Sequence, residues 1–396
     1  MARRRSDPPA PSIDGLLAAK EIVVACGPGG VGKTTTAAAA ALQAAVHHGS
    51  KVLVLTVDPA KRLANALGLD GIGNQEHRVP DAAFAAAGVK PRGELWAAML
   101  DTKESWDALI RQHAPDEATR DEILANPLYQ NITGRFVQSH DYIAMERLYE
   151  IHSTGEYDLI VVDTPPTRNA LDFLDAPERL ADFFSSRLLR WLTAPARSRL
   201  VNLATRPFYQ IADRILGTEF LSDIAEFFLL FQTMYDGFVE RSQAVSRLLS
   251  NPRTTFMVVS TLEAAPLREA EFFAEELVAR KLDLGAIVLN KVLPDYLRDR
   301  EADRVAGALQ AGAAEVAGSL AAATASVAEL QDTDQVARVL AEVAESFLNF
   351  EVVAVREMEQ RAALAVAPDV LATVPFFETD IYDLAGLLRL GEQIWG

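Results

Sequence analysis

Cysteine is almost missing from this sequence of 396 residues, since Cys26 is its single example. One cysteine excludes a disulfide within the chain and a zinc site built from the thiolates of one chain. An iron–sulfur cluster held by several cysteines of this chain is excluded for the same reason. Because Cys26 ends an apolar run, we expect it to be a buried, inert thiol.

Positive charge is also scarce: 38 lysines and arginines stand against 55 acidic residues, which gives a net charge of −17. This balance argues against general nucleic-acid binding, which needs a basic face. Arg3, Arg4 and Arg5 precede no apolar segment of an export signal. No charge-free run reaches the roughly 18–20 residues that span a bilayer. We therefore predict a soluble, cytoplasmic protein in which residues 1–12 form a disordered tail.

The most informative segment is glycine-rich and reads GPGGVGKTT over residues 27–35. It has the spacing G-x-x-x-x-G-K-[ST], follows an apolar run and precedes an alanine-rich stretch, which is typical of a phosphate-binding P-loop between a strand and a helix. Glycines let backbone N–H groups surround an anion, and the helix directs its positive dipole end to the same point. We predict that Lys33 contacts the β- and γ-phosphates and that the Thr34 hydroxyl binds Mg²⁺.

Apolar, β-branched runs recur between helical patterns, at Ile22–Cys26, Val52–Val57, Leu95–Leu100, Leu159–Val162, Phe256–Ser260, Ala286–Leu289 and Val370–Val374. Such alternation predicts an α/β fold with a doubly wound, mostly parallel sheet. Ligands of such sheets bind at the carboxyl ends of strands. The P-loop, Asp58, Asp163 and Asn290 each follow a predicted strand, so we expect them at one edge of the sheet.

Two long helical stretches, at about residues 101–157 and 171–250, predict an inserted α-helical subdomain within a single domain of residues 13–396. The second stretch holds half of the chain's 18 phenylalanines. Their helical spacing fits the buried face of an ordinary subdomain or a groove for an apolar ligand helix. The candidate groove residues are Phe184, Leu188, Phe220, Phe227, Phe228 and Phe231. Farther on, the alanine-rich residues 302–344 predict one or two surface helices.

Two aspartates at strand ends indicate the chemistry. Asp58 follows the second strand, where a carboxylate can orient a water that attacks the γ-phosphate, and capping the next helix is compatible with that role. Asp163 ends an apolar strand in the Walker-B arrangement, so we expect it to hold Mg²⁺ directly or through a water. The loop that follows Asp163 is a candidate sensor of the γ-phosphate.

Together these motifs resemble those of the ArsA-type ATPase family. The matching segments are GGVGKTT, the DPA after the second strand and DTPPTRNALDFL, and the likeness runs from about Ile22 to the C-terminus, most closely to actinobacterial members. The family includes arsenite-pump ATPases and ATPases that deliver tail-anchored membrane proteins. The resemblance implies a dimeric ATPase that binds ATP or ADP with Mg²⁺ on a deviant Walker A loop of the SIMIBI type.

The resemblance also implies roles for single residues. Asp58 matches the switch I aspartate that is proposed to activate water, and Asp163 begins switch II. Asn290 matches an asparagine that recognises adenine, and the segment with Pro375 and Phe376 matches a loop that covers the base. The expected phosphate-binding residues are Gly29, Gly30, Val31, Gly32, Lys33, Thr34 and Thr35.

Pro28 departs from the family, whose P-loop usually has a lysine there. In relatives that lysine reaches the partner's phosphates like an arginine finger, which contributes on the order of 10³–10⁵ in rate. Because proline cannot do this, we hypothesise a heterodimer with a lysine-bearing paralogous ATPase, and Arg168 is the competing cation. The shortage of cysteine argues against an arsenite site, because such soft ions need thiolates. It also excludes the Cys-x-x-Cys zinc of some targeting ATPases.

These residues are compatible with three functions. The leading hypothesis is a chaperone or targeting factor that closes with ATP around an apolar helix of a tail-anchored client, transiently at the membrane. The second is the ATPase subunit of a transporter for an anion or a small molecule. The third is a positioning switch of the ParA kind, which the long helical stretches and a C-terminus without a basic face do not favour.

Overall fold

The computed structural model describes residues 12–57, 61–69, 71, 73–130, 137–165, 175, 182, 227–230, 233–324, 330–364 and 368–395. The strands within these residues are β1 (Ile22–Cys26), β2 (Lys51–Thr56), β3 (His77–Arg78), β4 (Glu94–Met99), β5 (Leu159–Asp163), β6 (Thr254–Ser260), β7 (Leu284–Val292) and β8 (Val370–Pro375). They form one sheet in the order β3-β4-β2-β5-β1-β6-β7-β8. Neighbouring strands are parallel, except that β3 and β4 are antiparallel. The predicted α/β fold with a mostly parallel sheet is confirmed.

Burial along the central strands explains their composition. Every residue of β1, β5 and β6 is buried, as expected for parallel strands that helices cover on both faces. All seven apolar runs of the sequence are strands in the structure. The additional strand, β3, has two exposed residues, His77 and Arg78, and such a short polar edge gives no apolar pattern to detect.

The helices of the described residues are numbered in chain order. They are α1 (Ile13–Ala19), α2 (Lys33–His47), α3 (Lys61–Ala66), α4 (Asp81–Ala86), α5 (Thr102–His113), α6 (Glu117–Ala125), α7 (Val137–Thr154), α8 (Tyr235–Leu249), α9 (Ala264–Ala279), α10 (Arg300–Ala323), α11 (Thr333–Ala362) and α12 (Leu384–Trp395). Ser12, at the end of the predicted tail, caps α1 by accepting a hydrogen bond from the Gly15 N–H. None of the described helices combines the length and the apolar composition that crossing a membrane requires.

One face of the sheet is covered by α1, α2 and α12. Val23 and Ala25 of β1 point into this layer, while Val24 contributes to the opposite core. The alanines of α2, from Ala37 to Ala45, are buried there almost without exception. Small side chains let the helix that follows the P-loop lie close to the strands, which fixes the position of its N-terminus.

The opposite face is covered by α5, α7, α8 and α9. Trp106 stacks on Tyr142 with ring centroids 5.8 Å apart, and Phe238 packs against both rings. The same core includes strand residues such as Leu53. The described part of the first predicted helical stretch is therefore a layer of the α/β domain and packs directly on the sheet.

The candidate groove residues have two outcomes. Phe227 is 4% exposed and packs edge-to-face against Phe228, with ring centroids 5.2 Å apart. Phe227 is thus a core residue in this conformation, which corrects its assignment to an open groove, and Phe228 is partly buried against the same core. Phe184, Leu188, Phe220 and Phe231 lie outside the described residues.

Candidate nucleotide site at the carboxyl edge of the sheet

The P-loop connects β1 to α2 through glycines that no other residue can replace without strain. Gly27, Gly30 and Gly32 all have positive φ angles, of 144°, 79° and 94°. A Cβ on Gly27 would lie 2.0 Å from the Val259 carbonyl oxygen, and one on Gly32 would lie 2.4 Å from Nδ2 of Asn290. At Gly30 the added carbon would meet nothing within 4 Å. The loop therefore packs tightly against Val259 at Gly27 and against Asn290 at Gly32, whereas Gly30 borders open space.

The N-terminus of α2 is suited to an anion. Its N-cap residue is Gly32, which has no side chain to occupy the first backbone N–H groups of the helix. Gly29 and Gly30 are exposed, whereas Val31 is buried. Free amides at a helix N-terminus, together with the helix dipole, are the usual setting for a bound phosphate.

Lys33 is folded back over the loop. Its ammonium donates a hydrogen bond of 2.7 Å to the Pro28 carbonyl oxygen, and the side chain is buried. This contact ties the cation to the backbone of the loop. Lys33 is thus held within the P-loop, and its contact with phosphates stays a prediction of the motif.

A carboxylate and two hydroxyls meet where α2, β2 and β5 come together. The Thr34 hydroxyl donates to Oδ2 of Asp163 at 2.7 Å, and the Thr56 hydroxyl donates to the same oxygen at 3.0 Å. Asp163 is 1% exposed. The sequence predicted the meeting of Thr34 and Asp163, but it gave no role to Thr56. Thr56 could have been found only from the register of the strands, because Thr56 of β2 pairs directly with Asp163 of β5.

The donor set of this cluster fits a hard divalent cation. Thr34 and Asp163 present only oxygen atoms, which Mg²⁺ prefers over nitrogen and sulfur. Mg²⁺ usually keeps several waters and uses one or two protein oxygens together with substrate phosphates. Thr34 and Asp163 are the residues that would hold it here.

The side chain of Asn290, in β7, contacts the P-loop directly. Its Nδ2 donates to the Val31 carbonyl oxygen at 2.7 Å, and its Oδ1 accepts from the Lys291 N–H at 2.9 Å. The side chain is 8% exposed. The resemblance implied a contact with adenine, whereas the structure gives Asn290 a positioning contact that ties β7 to the loop. Lys291 has a φ of 58°, which marks an unusual backbone turn beside this contact.

The loop predicted to cover the base follows β8 at the same edge. Pro375 pairs with Val292, and the Phe376 N–H donates to the Val292 carbonyl oxygen at 2.9 Å. Phe376 is 55% exposed, so its ring is free to contact a ligand. Pro375 and Phe376 therefore lie beside Val292, two residues beyond Asn290 in β7, and their contact with a base stays a prediction.

A glutamate of α11 binds the turn that follows β7. The carboxylate of Glu357 accepts the Leu293 N–H at 3.0 Å. Burial raises the pKa of Glu357, and nearby Glu263 acts in the same direction, while the Leu293 hydrogen bond opposes both. The base end of the site is thus attached to a distant helix.

Other predicted site residues have simpler outcomes. Cys26 is buried, its thiol lies 3.7 Å from the Met257 carbonyl oxygen, and burial raises the pKa of the thiol well above its usual range. Thr35 follows Thr34 in the first turn of α2 and is half-buried. Asp58 and Arg168 lie outside the described residues.

Comparisons with known proteins identify the family. The family model described as ArsA_ATPase, anion-transporting ATPase, matches residues 20–311. A protein of Aquifex aeolicus named as an arsenical pump-driving ATPase is 25% identical over 71% of this chain and 65% of its own length. The ATPase ASNA1 homolog of Entamoeba dispar is 25% identical over 69% of this chain and 78% of its own length. The ATPase GET3 of Malassezia globosa is 26% identical over 72% of this chain and 76% of its own length.

The chain thus spans just under two thirds of the Aquifex protein and about three quarters of the other two. The matched residues include the P-loop, the Thr34–Asp163 pair and Asn290. The family model covers well over half of the sequence, so this match shows the family to which the chain belongs. This chain is an ATPase of the ArsA family.

Proposed function

We propose that this protein is a cytoplasmic, nucleotide-switched ATPase that captures and releases apolar helices of membrane-protein clients. The observation that carries the proposal is the hydrogen bond from Thr34 to Asp163, 2.7 Å long. It joins the phosphate-binding loop to the end of β5, and the chain continues from there into the phenylalanine-rich stretch at residues 171–250. A change at the phosphates is therefore transmitted first to the segment that enters this stretch.

The contacts of the neighbouring residue support the same coupling. The Thr164 N–H and hydroxyl both donate to the Ala25 carbonyl oxygen, at 3.2 and 2.9 Å. This anchors the start of the predicted switch II to the strand that precedes the P-loop. Loops that contact both a triphosphate and its Mg²⁺ change order on hydrolysis, which gives a release step for a client.

A binding experiment tests this function. Asp58→Asn is expected to bind ATP without hydrolysing it, because the carboxylate that orients water is lost. The purified variant, with ATP, should keep a test protein with one C-terminal membrane helix in solution, and the wild type should release it as ATP is consumed. The matched control is the same test protein without its helix. Equal retention of both test proteins, with or without nucleotide, would contradict the proposal.

The second candidate is the ATPase subunit of a membrane transporter, and the relative named as pump-driving favours it. It predicts that a small anion stimulates ATP hydrolysis and that a multi-span membrane protein binds the chain stably. Single-helix clients would then have no effect on the ATPase rate. Measuring the rate with each addition separates the two functions.

Pro28 supports a proposal about the partner. ATPases of this family typically form dimers, and we propose a heterodimer in which a paralogous chain supplies the missing lysine. Pro28 contributes its carbonyl oxygen to Lys33, which any residue can do, so Pro28→Lys keeps that contact. We expect this substitution to raise the ATPase rate of the isolated chain at least tenfold. An isolated wild-type chain with a rate already equal to that of Pro28→Lys would overturn the heterodimer.

A further inference from the structure

The turn that follows Asn290 has an unusual backbone. Lys291 adopts the left-handed conformation, with a φ of 58°, although it is not a glycine. The pairing of β7 with β8 shifts register at the same place, between Leu289 and Val292. A left-handed residue other than glycine costs free energy, and such a turn persists only where its surroundings hold it. The contacts on either side of Lys291 therefore decide the shape of this part of the base end.

Two of these contacts come from the neighbouring parts of the site. On the side of the P-loop, Nδ2 of Asn290 donates to the Val31 carbonyl oxygen at 2.7 Å. On the side of β8, the Val292 carbonyl oxygen accepts the Phe376 N–H at 2.9 Å. The turn is thus attached to the loop at its beginning and to the chain after β8 at its end.

Glu357 supplies a third contact, from α11. Its Oε2 accepts the Leu293 N–H at 3.0 Å, one residue after Val292. The side chain is 9% exposed, and Ala354 is buried one turn earlier on the same helix. α11 also packs against the short 3₁₀ turn Asp295–Arg298, which follows Leu293 in the chain. The position of α11 therefore fixes the position of the Glu357 carboxylate beside the turn.

A carboxylate is a costly group to bury at this position. Among the described residues, no lysine or arginine is paired with Glu357, and the charged group that acts on it is Glu263, another carboxylate. Burial and Glu263 both raise the pKa of Glu357, which means that they disfavour its charged form. A leucine would fill the same space without this cost. The carboxylate is therefore explained by what it binds, the Leu293 N–H.

We propose that Glu357 is a positioning residue for the base of the nucleotide. By accepting the Leu293 N–H it fixes the second half of the turn, and Val292 is joined from there to the backbone of Phe376. This role rests on the proposed nucleotide site, in which Phe376 lies at the base end. Asn290 keeps its own hydrogen bond to the P-loop. Glu357 therefore acts on the base and leaves the phosphates unaffected.

Glu357 also connects two parts of the chain that the comparisons treat differently. It lies beyond residue 311, where the family match ends, whereas the turn that it holds lies within the match. A displacement of α11 would loosen the base end and leave the contacts of the P-loop in place. The affinity for the base thus depends on a helix outside the matched region.

Affinities for ATP and for tripolyphosphate separate the two ends of the site, because tripolyphosphate has the phosphates without the base. Glu357→Leu roughly keeps the size of the side chain and leaves the Leu293 N–H without this acceptor. In titration calorimetry of the full chain with Mg²⁺, the dissociation constant for ATP should rise about five- to tenfold, and that for tripolyphosphate should stay within about twofold. A variant that is merely less well folded would lose affinity for both ligands equally.

Two further variants of α11 are the controls. Glu357→Gln retains an oxygen acceptor without the charge, and both affinities should stay within about threefold of wild type. Glu359→Leu makes the same change two residues away, at an exposed position, and should have no effect. If Glu357→Gln lost as much affinity for ATP as Glu357→Leu, the hydrogen bond would not be the cause, and the proposal would be overturned.

Phe376→Ala distinguishes a failure of this role from a failure of the proposed nucleotide site. It removes the exposed ring and should weaken the binding of ATP but not that of tripolyphosphate. If it does so while Glu357→Leu changes neither affinity, or both alike, only the role of Glu357 is overturned. If neither variant weakens ATP binding, the assignment of the base end is wrong and the role of Glu357 is overturned with it. A selective loss with Glu357→Leu alone supports Glu357 and removes Phe376 from the base end.

Discussion

The two ends of the proposed nucleotide site, its phosphate end and its base end, are built differently. At the phosphate end, hydrogen bonds of 2.7 and 3.0 Å join the hydroxyls of Thr34 and Thr56 to Asp163, and Lys33 donates to the Pro28 carbonyl oxygen. At the base end, Asn290 is bound to the P-loop backbone, and the Phe376 ring is largely exposed. The groups of the phosphate end are thus fixed by contacts with one another and with the loop, whereas at the base end the Asn290 amide contacts the loop and the Phe376 ring is exposed.

This difference suggests where binding energy and specificity arise. Preorganised charges and donors require little rearrangement when a phosphate arrives, so they contribute strongly to binding and catalysis. The Asn290 amide uses one N–H donor and one oxygen lone pair on the backbone, so at most one donor and one lone pair are left for a base. We therefore expect the protein to bind a triphosphate chiefly by its phosphates, and variants at each end should separate the two contributions.

The largest effect is expected at Lys33. Lys33→Ala removes the cation that is held over the loop by Pro28, and ATP hydrolysis should fall by about 10²–10³ because a preorganised positive group is lost from the transition state. Steady-state phosphate release measures the rate. Lys90→Ala removes an exposed lysine away from the loop and should have no effect. A fall of less than fivefold would mean that the phosphate end does not work as its geometry indicates.

The glycines of the P-loop give the next largest effect, and they form an internal comparison. Gly27→Ala places a carbon 2.0 Å from a backbone oxygen that cannot move away, and Gly30→Ala meets open space. Both have positive φ, which costs about 1–2 kcal/mol for alanine. We expect Gly27→Ala to lose at least about 3 kcal/mol of unfolding free energy through strain and overlap together, more than Gly30→Ala.

Denaturant titration of both glycine variants measures the difference. Gly30→Ala should stay folded but bind ATP more weakly, since its new methyl group enters the space where the phosphates belong. Equal stability of the two variants would show that the loop adapts at Gly27 as easily as at Gly30.

Contacts within the P-loop could be expected from the sequence because the motif describes local geometry. A strand, a glycine turn, a lysine, a hydroxyl and a helix follow one another within residues 22 to 47, so contacts such as that of Lys33 with Pro28 follow from nearby residues. Asp163 was predicted because an acidic residue that ends an apolar strand reaches the same edge. Thr56 was missed because its role depends on strand register, which requires knowing that β2 lies beside β5.

The base end and the groove were harder to predict for the same reason. The contact between Asn290 and Val31 joins residues 259 positions apart, and the periodicity of the sequence contains no sign of it. Phe227 has the same helical spacing whether it lies in a core or in a groove, because spacing identifies an apolar face and not what covers it. The α10–α11 hairpin was expected as surface helices, and the structure adds that one of its exposed faces is apolar.

A moderate effect is expected at Asn290. This variant tests the difference between the phosphate end and the base end most directly. Asn290→Ala removes a buried hydrogen bond to the P-loop, and the affinity for ATP should fall about tenfold. Because the described contacts go to the loop, the affinity for GTP should fall by the same factor. Asn290→Asp also lacks the donor and adds a negative charge that faces the Val31 carbonyl oxygen, so its loss should be at least as large for both nucleotides. A loss confined to ATP, measured by titration calorimetry, would show that Asn290 recognises adenine after all.

The smallest effect is expected at Thr56, whose hydroxyl donates to the Asp163 oxygen that also accepts from Thr34. Thr56→Val keeps the shape of the side chain and removes one of two donors, so Asp163 stays in place but is oriented less firmly. We expect the Mg²⁺ concentration for half-maximal ATPase activity to rise about three- to fivefold, with little change in the maximal rate. Thr56→Ser retains the hydroxyl and should match wild type. If Thr56→Val instead abolished activity at saturating Mg²⁺, the hydroxyl would act on the nucleotide itself, and the phosphate end would extend onto β2.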